Sequence, residues 1–127
     1  MKKETFNTKK GAKAMGPYST AVIHGNMVYL SGMGPLDPET NEPVRGSVEE
    51  EAHRAFKNVQ IVLEELGCKM SDVLKVTLYL ADMNDFKKVN EIYENYFGPE
   101  YPARTTIQAG RLPLDIKVEV DVTAARK

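Results

Sequence analysis

The sequence has no tryptophan, one cysteine and two histidines in 127 residues, and these scarcities remove several classes of chemistry at once. A lone Cys68 excludes an intramolecular disulfide, and His24 and His53 lie far apart without cysteine or histidine companions at ligand spacing, so no metal site is expected. Cys68 follows Glu64-Glu65-Leu66-Gly67 at a predicted helix end, where neighbouring acids disfavour a thiolate; a structural role is expected for it. Excess charge is also missing. Seventeen basic residues against eighteen acidic ones leave a net charge of -1 and a pI near 6.1, so nothing favours a phosphate backbone and nucleic acid is an unlikely partner. No apolar run approaches the roughly 20 residues of a membrane span, and Met1-Lys2-Lys3-Glu4-Thr5-Phe6 lacks an apolar signal core. A soluble, cytoplasmic protein is expected. Repeats, low-complexity tracts and long linkers are absent too, and the length suits one domain over residues 1–127.

What is present is alternation and helical periodicity. After a lysine-rich start, Met15-Gly16-Pro17-Tyr18-Ser19 gathers turn residues around an aromatic hydroxyl; packing against the loop is the plain reading of Tyr18. Residues 20–23 and 27–31 read as two strands joined by a tight turn at Gly25-Asn26. The second strand runs into Ser31-Gly32-Met33-Gly34-Pro35, whose glycines allow close approach of a ligand or of another strand. Ser47-Val48-Glu49-Glu50 is a capping box that opens a helix; Ala52, Ala55, Phe56, Val59, Val62, Leu63 and Leu66 form its apolar stripe, and Gly67 ends it. Residues 73–81 form a strand with Leu74, Val76, Leu78 and Leu80 on one face and Lys75, Thr77 and Tyr79 on the other. A second helix runs from near Asn84-Asp85 to Gly98-Pro99 and buries Phe86, Val89, Tyr93, Tyr96 and Phe97. Asn90 falls inside that stripe, so its amide must find partners, either as a structural hydrogen bond or in ligand contact.

The C-terminal quarter carries the candidate chemistry. Arg104, Thr106 and Gln108 alternate with Thr105, Ile107 and Ala109, and Val118, Val120 and Val122 alternate with Lys117, Glu119, Asp121 and Thr123. The connecting residues 110–115 are too few for a crossover helix, which predicts an antiparallel hairpin placing Arg104 a diagonal step from Glu119 on one polar face. A solvated charged face is the bland alternative, and the commoner one for charges on a sheet. The order hairpin, helix, strand, helix, hairpin predicts an α+β sheet with both helices on one face; subunit contacts could cover the other.

Five segments, GPYS at 16–19, SGMGPL at 31–36, DFKKVN at 85–90, PARTTI at 102–107 and RLPLDIKVEVDVTA at 111–124, together resemble the Rid/YjgF family of reactive-intermediate deaminases across nearly the whole chain. The resemblance implies a homotrimer of chorismate-mutase-like subunits with a cleft at each subunit boundary. It further implies cofactor-free hydrolysis of 2-imino acids, such as 2-iminopropanoate and 2-iminobutanoate, to 2-keto acids and ammonia. By position, Arg104 would pair with the substrate carboxylate, Glu119 would position and deprotonate water, and the backbone of Thr106 would help hold substrate or water. Tyr18, Ser31, Gly32 and Asn90 match the pocket wall and its supports. Two departures bear on substrate preference: Thr106 stands where many such deaminases have cysteine, and Met33 where they have glutamine. A non-catalytic trimer that binds small 2-keto acids is the alternative, and endoribonuclease activity a weaker one.

Overall fold

The computed structural model describes all 127 residues. Three short strands come first: β1 (Glu4–Phe6), β2 (Ala21–His24) and β3 (Met27–Leu30). Helix α1 (Val48–Glu65), strand β4 (Val73–Leu80), helix α2 (Phe86–Phe97), strand β5 (Ala103–Gln108) and strand β6 (Val118–Ala125) follow. The six strands make one mixed sheet in the order β1-β2-β3-β6-β4-β5, with β5 parallel to β4 and the remaining pairs antiparallel.

Helix α1 begins where the capping box requires. The Ser47 hydroxyl accepts from the Glu50 N–H and the Glu50 carboxylate from the Ser47 N–H, each at 3.1 Å, which satisfies two of the helix's orphan donors. Its stripe of Ala52, Ala55, Phe56, Val59, Val62 and Leu63 has essentially no exposed surface and forms one continuous core with Val118, Val120 and Val122 of β6, against which α1 packs, and with Val76, Leu78 and Leu80 of β4. Burial of each larger side chain stabilises the fold by about 1.5–3 kcal/mol. Cys68 is buried in the same core, and burial pushes its thiol pKa up, with Asp72 adding to the effect.

The topology corrects the expected C-terminal hairpin. β5 and β6 are not neighbours, because β4 lies between them and pairs with both. The connection through α2 makes β5 a parallel neighbour of β4, and residues 109–117 then carry the chain past β4 into the centre of the sheet. Alternation and loop length are equally compatible with adjacent and next-but-one strands, since two strand spacings amount to only about 10 Å. The face assignment changes with the topology. Arg104 is level with Val76 and Val122, and Thr106 with Leu78 and Val120, so both belong to the helix-covered face. Glu119 is level with Tyr79 and Ile107 on the uncovered one.

Three smaller corrections follow. A bulge between Val73 and Lys75 puts Val73 in the core and leaves Leu74 51% exposed. Phe86 sits at the first turn of α2 beyond the core edge and is exposed, whereas Val89, Tyr93 and Phe97 are buried. Strand β1 lies in a polar segment without usable alternation, and its pairing with β2 supplies the order.

Candidate active site in two halves

The acid half is built on β6 and the loop after β3. Glu119 is half-buried, and a Cβ added to Gly32 would stand 2.5 Å from its Oε2, so only glycine lets the loop backbone lie against this carboxylate. The loop is fixed from both sides. Met33 and Val120 exchange backbone hydrogen bonds of 2.7 and 3.0 Å. Beneath them the fully buried Asn58 of α1 donates to the carbonyls of Gly34 (2.9 Å) and Leu36 (2.8 Å), while its own oxygen accepts from Arg54. Ser31 donates through Oγ to the Ser19 carbonyl at 2.7 Å, which ties the Tyr18 loop to the same place. Tyr18 stays 49% exposed, its hydroxyl oxygen accepting from the Met15 N–H at 3.2 Å. Together Met15, Tyr18, Gly32, Leu114, Ile116 and Glu119 border a cleft of about 80 Å³.

Burial raises the pKa of Glu119 above the ordinary carboxylate range, and the charge of Asp121, two residues along the same face, raises it further. Asp121 in turn accepts from the Tyr79 hydroxyl at 2.9 Å, and Tyr79 is the cross-strand partner of Glu119. That bond is the first cause of a raised Tyr79 pKa.

The arginine half is built on edge strand β5 and helix α2. The Arg104 guanidinium lies 4.5 Å from the ring centroid of Tyr93 and 5.5 Å from that of Phe86, and it donates to Asn90 Oδ1 at 2.7 Å. Positions 86, 90 and 93 follow the i, i+4, i+7 spacing of one helix face, so α2 clamps the guanidinium between two rings and an amide. One of five N–H donors is committed to Asn90, which leaves a planar fork available to a carboxylate. Asn90, Tyr93, Tyr101, Pro102 and Arg104 line a depression of about 260 Å³. The Tyr93 hydroxyl is buried there against Arg104; burial raises its pKa while the adjacent Arg104 charge opposes the rise. Thr106 lies two residues further along the edge. Because the Ala109 N–H donates to Leu80, the period-two alternation turns the backbone N–H and C=O of Thr106 away from β4 and onto the unpaired edge.

The structure therefore brings Tyr18, Ser31, Gly32 and Glu119 together, and separately Asn90, Arg104 and Thr106, with the two groups on opposite faces of the sheet within one chain. The expected proximity of Arg104 and Glu119 in a single chain is not found, for the topological reason given above. Two elements of the site escaped the sequence reading. Tyr93 is in the core as its spacing predicts, but its ring and that of the exposed Phe86 also face Arg104, a second role for which the misfit of Asn90 in their stripe is the only sequence signal. The Tyr79–Asp121 bond depended on a cross-strand register that only the topology supplies.

The family model described as Endoribonuclease L-PSP matches residues 8–126. The chain is 44% identical to a RutC family protein of Pyrococcus abyssi, with 100% of both chains covered. It is 41% identical to the human 2-iminobutanoate/2-iminopropanoate deaminase, covering 96% of this chain and 89% of the relative. Among solved structures, Escherichia coli TdcF with bound serine superimposes with a TM-score of 0.91 at 34% identity, covering 98% and 99% of the two chains. With matches of this extent in sequence and fold, the chain belongs to the Rid/YjgF family, several of whose members carry the name of imino-acid deaminases.

Proposed function

We propose that the protein hydrolyses 2-imino acids to 2-keto acids and ammonia, in a cleft formed where the arginine half-site of one copy meets the acid half-site of another. One observation carries this reading: the chain holds two prepared half-sites, a clamped guanidinium and a desolvated carboxylate, that do not meet within it. The human relative's name specifies this activity, and the serine bound to TdcF is a small amino acid with a carboxylate.

In the proposed reaction the substrate carboxylate lies on the free fork of Arg104, with the outward backbone of Thr106 beside it. Glu119 orients a water and takes its proton as the oxygen attacks the imine carbon C2. The C=N π-electrons move onto nitrogen, which takes up a proton, and a tetrahedral 2-amino-2-hydroxy acid forms. Glu119 returns its proton to the amine nitrogen and the C–N bond breaks; ammonia departs, and the C2 hydroxyl becomes the keto oxygen by releasing its proton to solvent, which balances the proton that solvent supplied to the imine nitrogen. A carboxylate with a raised pKa suits this cycle, because it accepts the water proton and can return it to the leaving amine. No step requires a redox change or a second substrate besides water. Tyr18, Ser31 and Gly32 form and support the wall on the Glu119 side, and Asn90 aligns Arg104 from the other.

The test is to generate 2-iminopropanoate and 2-iminobutanoate in situ with a dehydratase and to trap surviving imine with semicarbazide. Slower formation of the semicarbazide adduct is expected when the protein is present, because hydrolysis removes the imine before it is trapped. Arg104→Lys keeps the charge but loses the fork and should weaken both keto-acid affinity and rate. Glu119→Gln should retain keto-acid binding while hydrolysis falls by about 10²-fold or more. Keto-acid binding without any acceleration of imine loss would instead identify a carboxylate-binding protein.

A further inference from the structure

Most exposed large apolar side chains of this molecule sort themselves by place. Phe86 and Tyr101 lie at Arg104, and Tyr29 and Ile107 lie on the uncovered sheet face. Met15, Tyr18 and Leu114 converge on the cleft beside Glu119. Of that last group Leu114 is held in the least ordinary way. Its backbone sits at φ 60 and ψ 14, and Asp115 after it at φ 53, two consecutive left-handed residues neither of which is glycine. Such a conformation persists only where its surroundings impose it.

Those surroundings are visible. Leu112 and Ile116, on either side of the arch, are both buried, and Pro113 starts it with a fixed φ. The Leu114 carbonyl accepts from Arg45 at 2.7 Å, and the Arg111 guanidinium grips both oxygens of Asp115 at 2.7 and 3.1 Å. Two arginine contacts and two buried flanks thus hold a three-residue arch whose outermost apolar side chain is 44% exposed and borders the cleft. Solvation alone gives no reason to hold a leucine in this posture.

We propose that Leu114 is the specificity-determining residue of the site: it forms the apolar wall against which the substituent on C2 of the substrate lies, and it selects short aliphatic chains over chainless or acidic ones. The inference rests on the deaminase reading of the cleft. With the carboxylate on Arg104 and C2 facing Glu119, the remaining space is bounded by Met15, Leu114 and Ile116, and no cation among the cleft-lining residues is available to pair with an acidic substituent.

The test measures binding, so it does not depend on turnover. Affinities of glyoxylate, pyruvate, 2-oxobutanoate, 2-oxopentanoate and 2-oxosuccinate are measured by isothermal titration for the wild-type protein, Leu114→Gly and Leu114→Lys. Glycine accepts the left-handed backbone, so Leu114→Gly keeps the arch while removing the wall. The ratio of 2-oxopentanoate to glyoxylate affinity is expected to fall by about tenfold or more in Leu114→Gly, the scale on which apolar pockets discriminate added methylenes. Leu114→Lys should shift preference toward 2-oxosuccinate. An unchanged ranking in both variants would overturn the role of Leu114 and leave the site standing. If the wild-type protein bound none of the keto acids, the reading of the cleft itself would fall, and this inference with it.

Discussion

Glu119 combines a functional asset with a structural cost, and the two can be measured separately. Burial and the charge of Asp121 raise its folded-state pKa above the unfolded value of about 4.3. Charging this group therefore opposes folding: the penalty is absent below the unfolded pKa and develops in full as pH rises through the folded pKa. Glu119→Gln should accordingly raise the thermal midpoint at pH 7, and that gain should vanish near pH 4 while hydrolysis is lost at every pH. A lower midpoint at pH 7 would mean that the carboxylate is structurally paired. The same shift sets the acid limb of the rate profile, since a base must be deprotonated, so kcat/KM should begin to fall at a pH above the ordinary glutamate range. Asp121→Asn removes the smaller cause and leaves burial, which should move that limb toward lower pH. The other titratable groups on this face are Tyr79 and Lys75 from β4, Tyr29 from β3 and His24 from β2; Lys75 is engaged with the Thr105 hydroxyl at 2.8 Å, and Tyr79 with Asp121 itself. An unmoved limb in an active Asp121→Asn variant would assign the titration to another group.

At the scale of elements, α2 serves both as a core helix and as a clamp for the arginine. Asn90→Leu removes the 2.7 Å acceptor of Arg104 and puts an apolar branch beside the guanidinium. Because Asn90 is only half-buried, folding should weaken modestly, by about 1 kcal/mol, while keto-acid affinity should fall as the fork loses alignment. Denaturant midpoints measured beside titration calorimetry check this, and unaltered affinity would reduce Asn90 to a support of the helix. How far such features could be read in advance depends on their range along the chain. Both helices, the Gly25-Asn26 hairpin and the inward face of β6 were legible, because capping, turn geometry and periodicity are local signals. The bulge at Leu74 was not, since it depends on how β4 meets β6. Nor was the interposition of β4 between β5 and β6, because nothing in the alternation of either strand records which neighbour it has. That single nonlocal fact split the candidate site, placing Arg104 on the helix face and Glu119 on the other. The buried Glu51 was missed for a similar reason: its carboxylate accepts from the Lys117 N–H at 2.9 Å and pairs with the Lys117 ammonium at 3.0 Å, linking α1 to the approach of β6 across 66 positions.

The whole molecule leaves one sheet face without helices, and that face presents Tyr29, Ile107, Thr77 and Thr105 along with the Glu119–Tyr79–Asp121 group. Beside it runs β5, an edge strand with unpaired backbone groups. A closed ring of copies would cover the face and bring the Arg104 edge of one chain to the Glu119 cleft of the next, so a sedimentation mass near three chains is expected. Subunit mixing tests this arrangement most directly. Arg104→Lys and Glu119→Gln chains, each impaired and assayed alone to set the baseline, are mixed in equal amounts, unfolded and refolded together. In a cyclic assembly each interface takes its arginine from one chain and its glutamate from the neighbour, so random mixing makes about a quarter of the interfaces wild type in both residues. Hydrolysis should recover to roughly that fraction of the wild-type rate per site, and mixing the folded variants without unfolding should recover less if the rings exchange slowly. Were both groups supplied by the same chain, no mixture could contain an intact site and the refolded sample would stay at the baseline. A refolded, properly sized assembly without recovery would therefore refute the shared cleft, whereas recovery near the expected fraction would join the two half-sites that a single chain keeps apart.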